Sequence, residues 1–315
     1  SFYGVPGKKL QRYYRNKLSD FSQWEHCKDA SKGLIFPENL GPYLSIDETS
    51  LSQGELYTII TNKSAKGKKG ALVAILEGTN SETIIPLLSQ LPAKERNKVI
   101  EVTLDLAGNM NLIVRKCFPK ATIVIDRFHV QQLATEALQE IRIKHRWEAL
   151  DQENDAIEKA KMYKQIFIPE VLPNGDTLKQ LLARSRYLLY KSEQNWTQQQ
   201  ADRAAILFER FPDIKLAYEL TQSLSRIYTS TTEKIYAYTR LAKWHEKVEK
   251  AGFKAFNTIS KTIMNHYRKI LNYFDNRSTN ASAESFNAKI KAFRQQYRGV
   301  SDVNFFLFRL SKLYA

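Results

Sequence analysis

The stretch IEVTLDLAGNMNLIVRKCFPKATIVIDRFHV, residues 100–130, contains two apolar runs that each end on an aspartate, Asp105 and Asp126. The runs are short and rich in β-branched residues, which is typical of buried strands. Between them, GNMNLIVRKCF has the apolar spacing of a helix and stops near Pro119, so the stretch predicts a strand–helix–strand unit. Each aspartate is then either a metal ligand at a strand end or a cap for the following helix.

Three further strand patterns precede this unit, in YLSIDETSL, ELYTIITN and GALVAILEG. The second and third are joined by a loop of Gly, Lys and Ser, which predicts a long antiparallel hairpin. The segment NSETIIPLLSQLPAKERNKV then reads as one helix, with Asn80 or Ser81 as its N-cap. The order β-β-β-α-β-α-β predicts an α/β fold with a mixed five-stranded sheet flanked by helices.

The strand signal disappears between about residues 131 and 275, where successive segments have apolar residues at i, i+3 and i+4. After this all-helical block, the polar turn DNRSTNASAES leads into one more helix. The pattern predicts four parts: a basic lead-in over 1–43, the first part of the sheet domain over 44–133, an all-helical insertion over 134–275, and the rest of the sheet domain over 276–315.

The net charge indicates a polyanionic partner. The 315 residues include 48 Lys and Arg against 33 Asp and Glu, which gives a formal charge of +15 and a pI of about 9.6. The segment NKSAKGKKG, residues 62–70, has four lysines and no acid, and residues 276–315 hold seven basic side chains against Glu284 and Asp302. This excess favours nucleic-acid binding, with a merely basic, soluble protein as the alternative.

The lengths of the apolar runs and the cysteine content exclude some classes of protein. No apolar run approaches the roughly 18 residues that a membrane span needs, and the start of the chain lacks the apolar region of a signal peptide. Two cysteines, Cys27 and Cys117, offer neither a disulfide framework nor a cysteine zinc site. We therefore expect a cytoplasmic protein without membrane contact.

Four acidic residues occupy positions where a carboxylate is expected to have a structural or a metal-binding role. Asp47 sits inside the first predicted strand, where burial costs several kcal/mol unless the charge is paired or bound to metal. Asp105 and Asp126 end the fourth and fifth strands, and Glu284 lies in the first turn of the late helix, where it also suits the helix dipole. Carboxylates gathered without thiols suit Mg²⁺ or Mn²⁺.

At this point the motifs resemble those of DDE transposases of bacterial insertion sequences, in particular the ISL group (third family). The resemblance rests on SIDETSLSQGELY, EVTLDLAGNM, CFPKATIVIDRFHV and SAESFNAKIKAFRQQYRG, and it covers roughly residues 44–310. The spacing of DRFHV from Asp105 is its specific part. The resemblance implies an RNase H-like core, interrupted by the large all-α insertion before the last catalytic helix.

The same resemblance implies roles for particular residues. Asp47, Asp105 and Glu284 match the family's catalytic acids and would bind two divalent cations, Mg²⁺ with Mn²⁺ as substitute. Asp126 and His129 would lie beside the site and orient it or contact DNA, although Asp126 as a ligand in place of Asp47 stays an alternative. Asn287 shares a helix face with Glu284, where a scissile phosphate would sit.

The predicted DNA contacts are mostly basic. In the helical block Trp196 is the aromatic residue whose neighbours look exposed, and it is a candidate for stacking a flipped base; Trp147, Trp244, Tyr187 and Tyr190 are expected to be mostly core. The predicted contacts are Lys63, Lys66, Lys68, Lys69, Arg127, Trp196, Lys289, Lys291, Arg294 and Arg298.

The activity that the resemblance implies is metal-dependent cleavage at transposon ends, followed by transfer of the 3′-OH into target DNA. Two DNA ends must be held together, so we expect a homodimer on double-stranded DNA. The resemblance also implies a bacterial protein that is associated with the nucleoid when active. Nothing before residue 44 has room for the usual end-binding module, which leaves a fragment, a separate end-binding protein, or recognition by the basic segments. The alternatives are a structure-specific nuclease on the same fold and a catalytically silent DNA-binding descendant.

Overall fold

The computed structural model describes residues 4, 6–51, 54–296 and 299–315. The chain forms two compact units. The first, here called the sheet unit, comprises Ser1–Asp126 and Asn276–Ala315, and the second, the helical unit, comprises Arg127–Asp275. The finer four-part division drawn from the sequence stays a prediction.

The sheet unit is built on a mixed six-stranded sheet. Its strands are β1 (Gly33–Ile35), β2 (Tyr43–Ser50), β3 (Leu56–Asn62), β4 (Leu72–Glu77), β5 (Glu101–Leu104) and β6 (Thr122–Ile125). Their order in the sheet is β1-β4-β3-β2-β5-β6. Strands β2, β3 and β4 pair antiparallel in succession, whereas β5 pairs parallel with β2 and with β6. The α/β class and all five predicted strands are confirmed.

The sixth strand, β1, comes from the predicted lead-in and adds to the sheet next to β4, with Leu34 opposite Ile75. Three residues are too few to show the alternation that identifies a strand in a sequence. The predicted helix over residues 80–99 is also corrected, because the chain breaks it into two helices. Asn80 caps the first by accepting a hydrogen bond from the backbone N–H of Glu82, and Pro92 directly precedes the second.

The helices of the sheet unit pack on the sheet through apolar faces. In the late helix, Phe286, Ile290 and Phe293 recur at i, i+4 and i+7 and are buried against residues of β3 and β4. The sheet unit contains α1 (Gly7–Tyr13), α2 (Ser81–Leu88), α3 (Ala93–Arg96), α4 (Gly108–Cys117), α13 (Ala281–Gln296) and α14 (Val303–Tyr314).

Within the helical unit the described residues form helices and short helical turns, as the apolar spacing predicts. The longest helix has 36 residues and packs on the helix over 212–230, which also packs on the helix over 234–251. The helices are α5 (Arg127–Met162), α6 (Leu178–Arg184), α7 (Gln198–Arg210), α8 (Pro212–Ser230), α9 (Lys234–Ala251), α10 (Lys254–Asn265), α11 (Tyr267–Leu271) and α12 (Tyr273–Asn276). Among the described helices, none has the length and hydropathy needed to cross a membrane.

Candidate active site

Three aspartates lie close to one another in the strand register of the sheet. The parallel register pairs Ser45 with Thr103, and Asp47 and Asp105 each follow two residues later. Leu104 pairs with Ile125, the last residues of β5 and β6, so Asp105 and Asp126 directly follow this pair, and the backbone N–H of Asp126 donates to the Leu104 carbonyl at 2.9 Å. The three aspartates therefore belong to the same end of the parallel strands.

Asp47 is half-buried and is held by a residue of α13. Asn287 donates its side-chain N–H to Asp47 Oδ2 at 2.7 Å and to the Glu48 carbonyl at 3.3 Å. The other carboxylate oxygen, Oδ1, accepts from the Glu48 backbone N–H at 2.8 Å. The predicted position of Asn287 beside the acids therefore has a physical basis, because its amide joins the late helix to β2.

Asp105 does not cap α4, whose N-cap residue is Ala107 and which has no side-chain cap. Its Oδ1 accepts a hydrogen bond at 2.8 Å from the backbone N–H of Ala107 and so closes the turn before the helix. This hydrogen bond and a role as metal ligand use different lone pairs of one carboxylate, since an ionised carboxylate offers about four acceptor sites. The turn therefore orients Asp105 without removing it from the set of candidate ligands.

Asp126 is 1% exposed and lies next to the start of α13. Its Oδ1 accepts from the backbone N–H of Asn280 at 3.3 Å. Asp126 and the exposed Glu284 bring carboxylate oxygens to within 4.8 Å of each other. The end of β6 is therefore attached to the turn of chain that presents Glu284.

The three predicted catalytic acids do not converge as tightly as this pair. In the part of the chain that the structure describes, Asp47, Asp105 and Glu284 do not place one carboxylate oxygen each within 4.8 Å of the others. Asp47 and Asp105 share the sheet edge, and Glu284 is next to Asp126. The choice between Asp47 and Asp126 as ligand therefore stays open, as it was in the sequence.

Glu48 is a fourth acid of this region, and the sequence patterns did not single it out. Its pKa is raised above the usual value, first by burial and then by the negative charges of Asp105 and Asp47. The consecutive acids of SIDET were the available signal. They gave no reason to choose Glu48, because neighbouring strand residues point to opposite faces.

Glu101, at the start of β5, anchors a buried cluster of charged and polar groups. Its carboxylate, 2% exposed as a residue, accepts from Lys63 Nζ at 3.0 Å and from Asn276 Nδ2 at 3.2 Å. Burial alone would raise its pKa, but hydrogen bonds from Ser278, Lys63 and Asn276 and the Lys63 charge outweigh burial and lower it. This corrects one predicted DNA contact, because the Lys63 ammonium is bound inside the protein by Glu101 and by Thr103 Oγ1 at 2.6 Å.

The other basic residues predicted to bind DNA in the sheet unit fall into two groups. Lys289 donates to the Gly67 carbonyl at 2.6 Å and so ties α13 to the loop after β3, and Arg294 donates to the Ser50 carbonyl at 3.1 Å and ties it to the end of β2. Arg298 lies outside the described residues. The remaining four, with exposed side chains and no carboxylate within 4.0 Å among the described residues, are Lys66, Lys68, Lys69 and Lys291.

Three predicted site residues belong to the helical unit. His129 is in the first turn of α5, three residues after Asp126, and Arg127 Nη1 lies 3.3 Å from the Tyr273 hydroxyl. Trp196 is half-buried, donates its indole N–H to the Leu188 carbonyl at 2.8 Å, and packs on Tyr218.

The expectation that the other aromatic residues are mostly core is only partly right. Trp244 is 2% exposed, but Trp147 is 62% exposed, Tyr187 67% and Tyr190 51%. The sequence neighbours singled out Trp196 as the exposed aromatic residue, but Trp147 points outward from α5. The sequence neighbourhood was therefore a poor guide to exposure here. Helix orientation, which depends on packing, decides which aromatic residues reach solvent.

The donor set around the acids fits a hard divalent cation. Asn287 Oδ1 and both polar atoms of Asn280 are buried without a hydrogen-bond partner among the described residues. A buried amide oxygen without a partner is costly, and carboxylate and amide oxygens are the ligands that Mg²⁺ and related ions prefer. The same edge of the sheet thus holds acids and orphaned amide oxygens together.

Comparison with protein families gives a clear match. A family of DDE transposases of the ISL3 type, described as "Transposase", matches residues 44–310, well over half of the chain. The match covers all the acids described above and both parts of the sheet unit from β2 onward.

Individual relatives agree with this match. The transposase for insertion sequence element IS1001 of Bordetella parapertussis is 24% identical over 272 residues, covering 85% of this chain and 60% of the relative. The transposase for insertion sequence element IS1557 of Mycobacterium tuberculosis is 24% identical over 250 residues, covering 79% and 54%. The chain therefore spans little more than half the length of these relatives.

Among solved structures, the Drosophila P element transposase strand transfer complex covers 98% of this chain and 84% of its own, at 13% identity and a TM-score of 0.35.

Proposed function

The chain belongs to the ISL3 family of DDE transposases, and from this membership we propose that it cuts DNA at transposon ends and joins the released 3′-OH to target DNA. The observation that carries the proposal is the placement of Asp47, Asp105 and Asp126 on or directly after three adjacent strands, with Glu284 next to Asp126. Asp105 and Asp126 follow the carboxyl ends of parallel strands, a usual place for a site in an α/β sheet.

We propose Asp47, Asp105 and Glu284 as the residues that hold two divalent cations, Mg²⁺ with Mn²⁺ as substitute. When bound, such cations activate the attacking oxygen and stabilise the leaving oxygen of an in-line displacement. The family membership implies divalent metal use, and the oxygen donors described above are compatible with it. Asp126 replacing Asp47 as ligand is the alternative within the same site.

The protein's own contribution is to position the acids and to neutralise phosphate charge. Asn287 orients Asp47 through its amide N–H, and Asp126 holds the backbone just before α13, which carries Glu284. His129 is proposed to act beside Asp126. Because the reaction displaces one oxygen by another at phosphorus, it needs no nucleophilic side chain.

The proposed substrate is double-stranded DNA, bound as transposon end and as target. Exposed lysines in the loop after β3 and in α13 would contact its phosphates, as would Arg127 and Arg298, while Lys289 and Arg294 would support α13 from within. A base stacked on Trp196 is a further proposal. A homodimer would hold two ends together, and a separate end-binding protein would supply sequence recognition, all acting in the bacterial cytoplasm.

The test is strand transfer of a pre-cleaved, labelled element-end duplex into plasmid, with Mg²⁺ or Mn²⁺ and with any end-binding protein encoded beside the element. The wild type is compared with Asp47→Asn, Asp105→Asn, Asp126→Asn and Glu284→Gln. Each replacement keeps the side-chain shape and removes the charge. We expect joining by the wild type and its loss in the Asp47, Asp105 and Glu284 variants, with only a weaker effect at Asp126.

Three results would contradict parts of this proposal. Loss of joining with Asp126→Asn but not with Asp47→Asn would make Asp126 the ligand. Cleavage of the duplex without any joining would instead favour a structure-specific nuclease, because that activity needs the same acids but no strand transfer. If the wild type binds DNA but neither cuts nor joins it, the chain would be a catalytically silent DNA-binding descendant of a transposase.

A further inference from the structure

The positive charge of the helical unit is concentrated in its last third. From residue 127 to 219 the chain has 14 basic and 14 acidic residues, so this part is neutral. From residue 220 to 275 it has 10 basic residues against 4 acidic ones. The whole excess therefore lies in the end of α8 and in the helices that follow it.

Part of this excess lines a groove between α8 and α9. Each helix contributes residues at i, i+3, i+4 and i+7, so each presents one face to the groove. The groove has a volume of about 280 Å³ and a floor that includes Ile227 and Trp244, both nearly fully buried. The lining residues are Ser223, Arg226, Ile227 and Ser230 of α8 and Arg240, Lys243, Trp244 and Lys247 of α9.

Three of the four cations in this groove face solvent without an acidic partner. Arg226, Lys243 and Lys247 are exposed, and among the described residues no carboxylate lies within 4.0 Å of them. The acids of α9, Glu246 and Glu249, do not line the groove, and Glu249 pairs with His245 at 3.5 Å. Like charges held close together repel one another, so this arrangement favours an anionic ligand.

The fourth cation, Arg240, joins the two helices. Its Nη1 donates to the carbonyl of Ser230, the last residue of α8, at 3.2 Å, and to the hydroxyls of Ser230 and Thr231 at 2.8 Å. A guanidinium has five N–H donors, and these hydrogen bonds use one nitrogen. Arg240 therefore stabilises the groove and still offers donors toward it.

The floor of the groove is satisfied internally. The Trp244 indole N–H donates to the Leu220 carbonyl at 2.9 Å, and the Ser223 and Ser230 hydroxyls donate to carbonyls of their own helix. The polar groups that remain for a ligand are therefore cationic. Small-molecule pockets are mostly apolar, which this cationic groove does not resemble.

We propose that this groove binds the sugar-phosphate backbone of duplex DNA, which gives the helical unit a phosphate-binding surface of its own. From Arg240 to Lys247, α9 rises about 10 Å, a distance over which one strand of B-DNA carries about three phosphates. The groove thus presents cations at a density that matches a nucleic-acid strand. The proposal rests on the proposed function, since it assumes that DNA is the substrate.

The experiment measures duplex binding by fluorescence anisotropy at a series of KCl concentrations, using the full chain. The test variant combines Arg226→Gln, Lys243→Gln and Lys247→Gln. The control combines Lys159→Gln, Lys161→Gln and Lys164→Gln, which removes the same charge from exposed lysines at the end of α5 and the turn after it. Each phosphate that is no longer neutralised lowers the slope of log K against log salt by about 1, so the slope of the test variant should fall by about 3.

We expect this decrease on element-end duplex and on scrambled duplex alike, because binding to phosphates carries no base information. Equal slopes for the test and control variants, with the wild type binding and joining DNA, would overturn the groove proposal alone. Absence of salt-dependent binding by the wild type would overturn it together with the proposed function. A test variant that keeps duplex affinity but loses binding to labelled polyglutamate would identify an acidic polypeptide as the ligand.

Discussion

The two units of this chain differ in how their buried acidic side chains are held. In the sheet unit, Asn287 reaches Asp47 across 240 residues and Asn276 reaches Glu101 across 175. In the helical unit, Arg184 and Arg203 hold the buried Asp176 from 8 and 27 residues away. The helical unit has longer polar contacts as well, such as Arg127 with Tyr273 across 146 residues, but its buried acid is held locally.

This difference matches what each unit is proposed to do. Long-range contacts in the sheet unit bring acids from separate strands and from α13 to one edge, as a site for phosphoryl transfer requires. The polar contacts of the helical unit stabilise helix packing and leave most cations exposed. The buried Asp176, for example, is held by Arg184 and Arg203 and contributes structure, not a site.

The largest expected effect comes from removing a charge at the sheet edge. We expect Asp105→Asn to lower the single-turnover joining rate by about 10³-fold, because metal-assisted charge stabilisation is worth several kcal/mol and each 1.36 kcal/mol is tenfold in rate. The matched variant in the helical unit is Asp176→Asn, which should lower stability and leave the rate per folded molecule unchanged. Equal decreases in the joining rate for both variants would contradict the proposed difference between the two units.

The second effect concerns the stability of the sheet unit. We expect Glu101→Ala to destabilise it by about 3 kcal/mol, because it leaves Lys63 as a largely buried charge without its carboxylate. Hydrogen exchange of the β5 amides measures this unit separately from the helical unit. The control is Glu95→Ala in the surface pair Glu95–Lys98, which should cost less than about 1 kcal/mol. A similar cost for both would show that the Glu101 cluster is no more than a surface ion pair.

Acid should weaken both units through carboxyl groups with lowered pKa. For Glu101 and Asp176, burial alone would raise the pKa, but hydrogen bonds and nearby cations outweigh it and lower the pKa from 4.5 and 3.8 respectively. Their stabilisation is therefore complete above those unfolded-state values and is lost as pH falls through the lower pKa of the folded state. Unfolding at stepped pH should show a smaller acid dependence in Glu101→Gln and Asp176→Asn, and an unchanged dependence would contradict the assignment.

The smallest effect is expected at the exposed lysines of the loop after β3. Replacing Lys66, Lys68 and Lys69 with Gln should weaken duplex binding and lower its salt slope by about 1 for each phosphate that is no longer bound, without sequence preference. The control triple is Lys94→Gln, Lys116→Gln and Lys120→Gln, also exposed in the sheet unit. A larger decrease here than in the α8–α9 groove would shift the main phosphate-binding surface to the sheet unit.

Much of the fold could be predicted because it depends on local patterns. Asp105 and Asp126 could be placed at strand ends from the apolar runs before them, and the helical unit from its 3.6-residue spacing. The predictions that were wrong also have physical reasons. A three-residue strand has no periodicity, and the helix pattern continues through Leu91 although α2 ends at Leu88 and Pro92 precedes a separate helix.

For the candidate site, the sequence predicted only which residue types lie in or after the strands and in the late helix. The side chain of Lys63 looks solvated in a lysine-rich loop, yet Glu101 and Thr103 of β5 bind it. Glu48 was missed for a related reason, since its surroundings include Asp105, which is 57 positions away in the chain.

Local sequence patterns were thus enough to predict five of the six strands, most of the helices, the acids and the transposase resemblance, because each depends on residues within about one element of each other. Pairing of β2 with β5 and docking of α13 then decided which acids share one end of the parallel strands, which amide reaches Asp47 and which lysines stay exposed. Those outcomes depend on contacts across 40 to 240 residues. Packing of the apolar faces closes these distances, and no local pattern encodes the side chains that meet as a result.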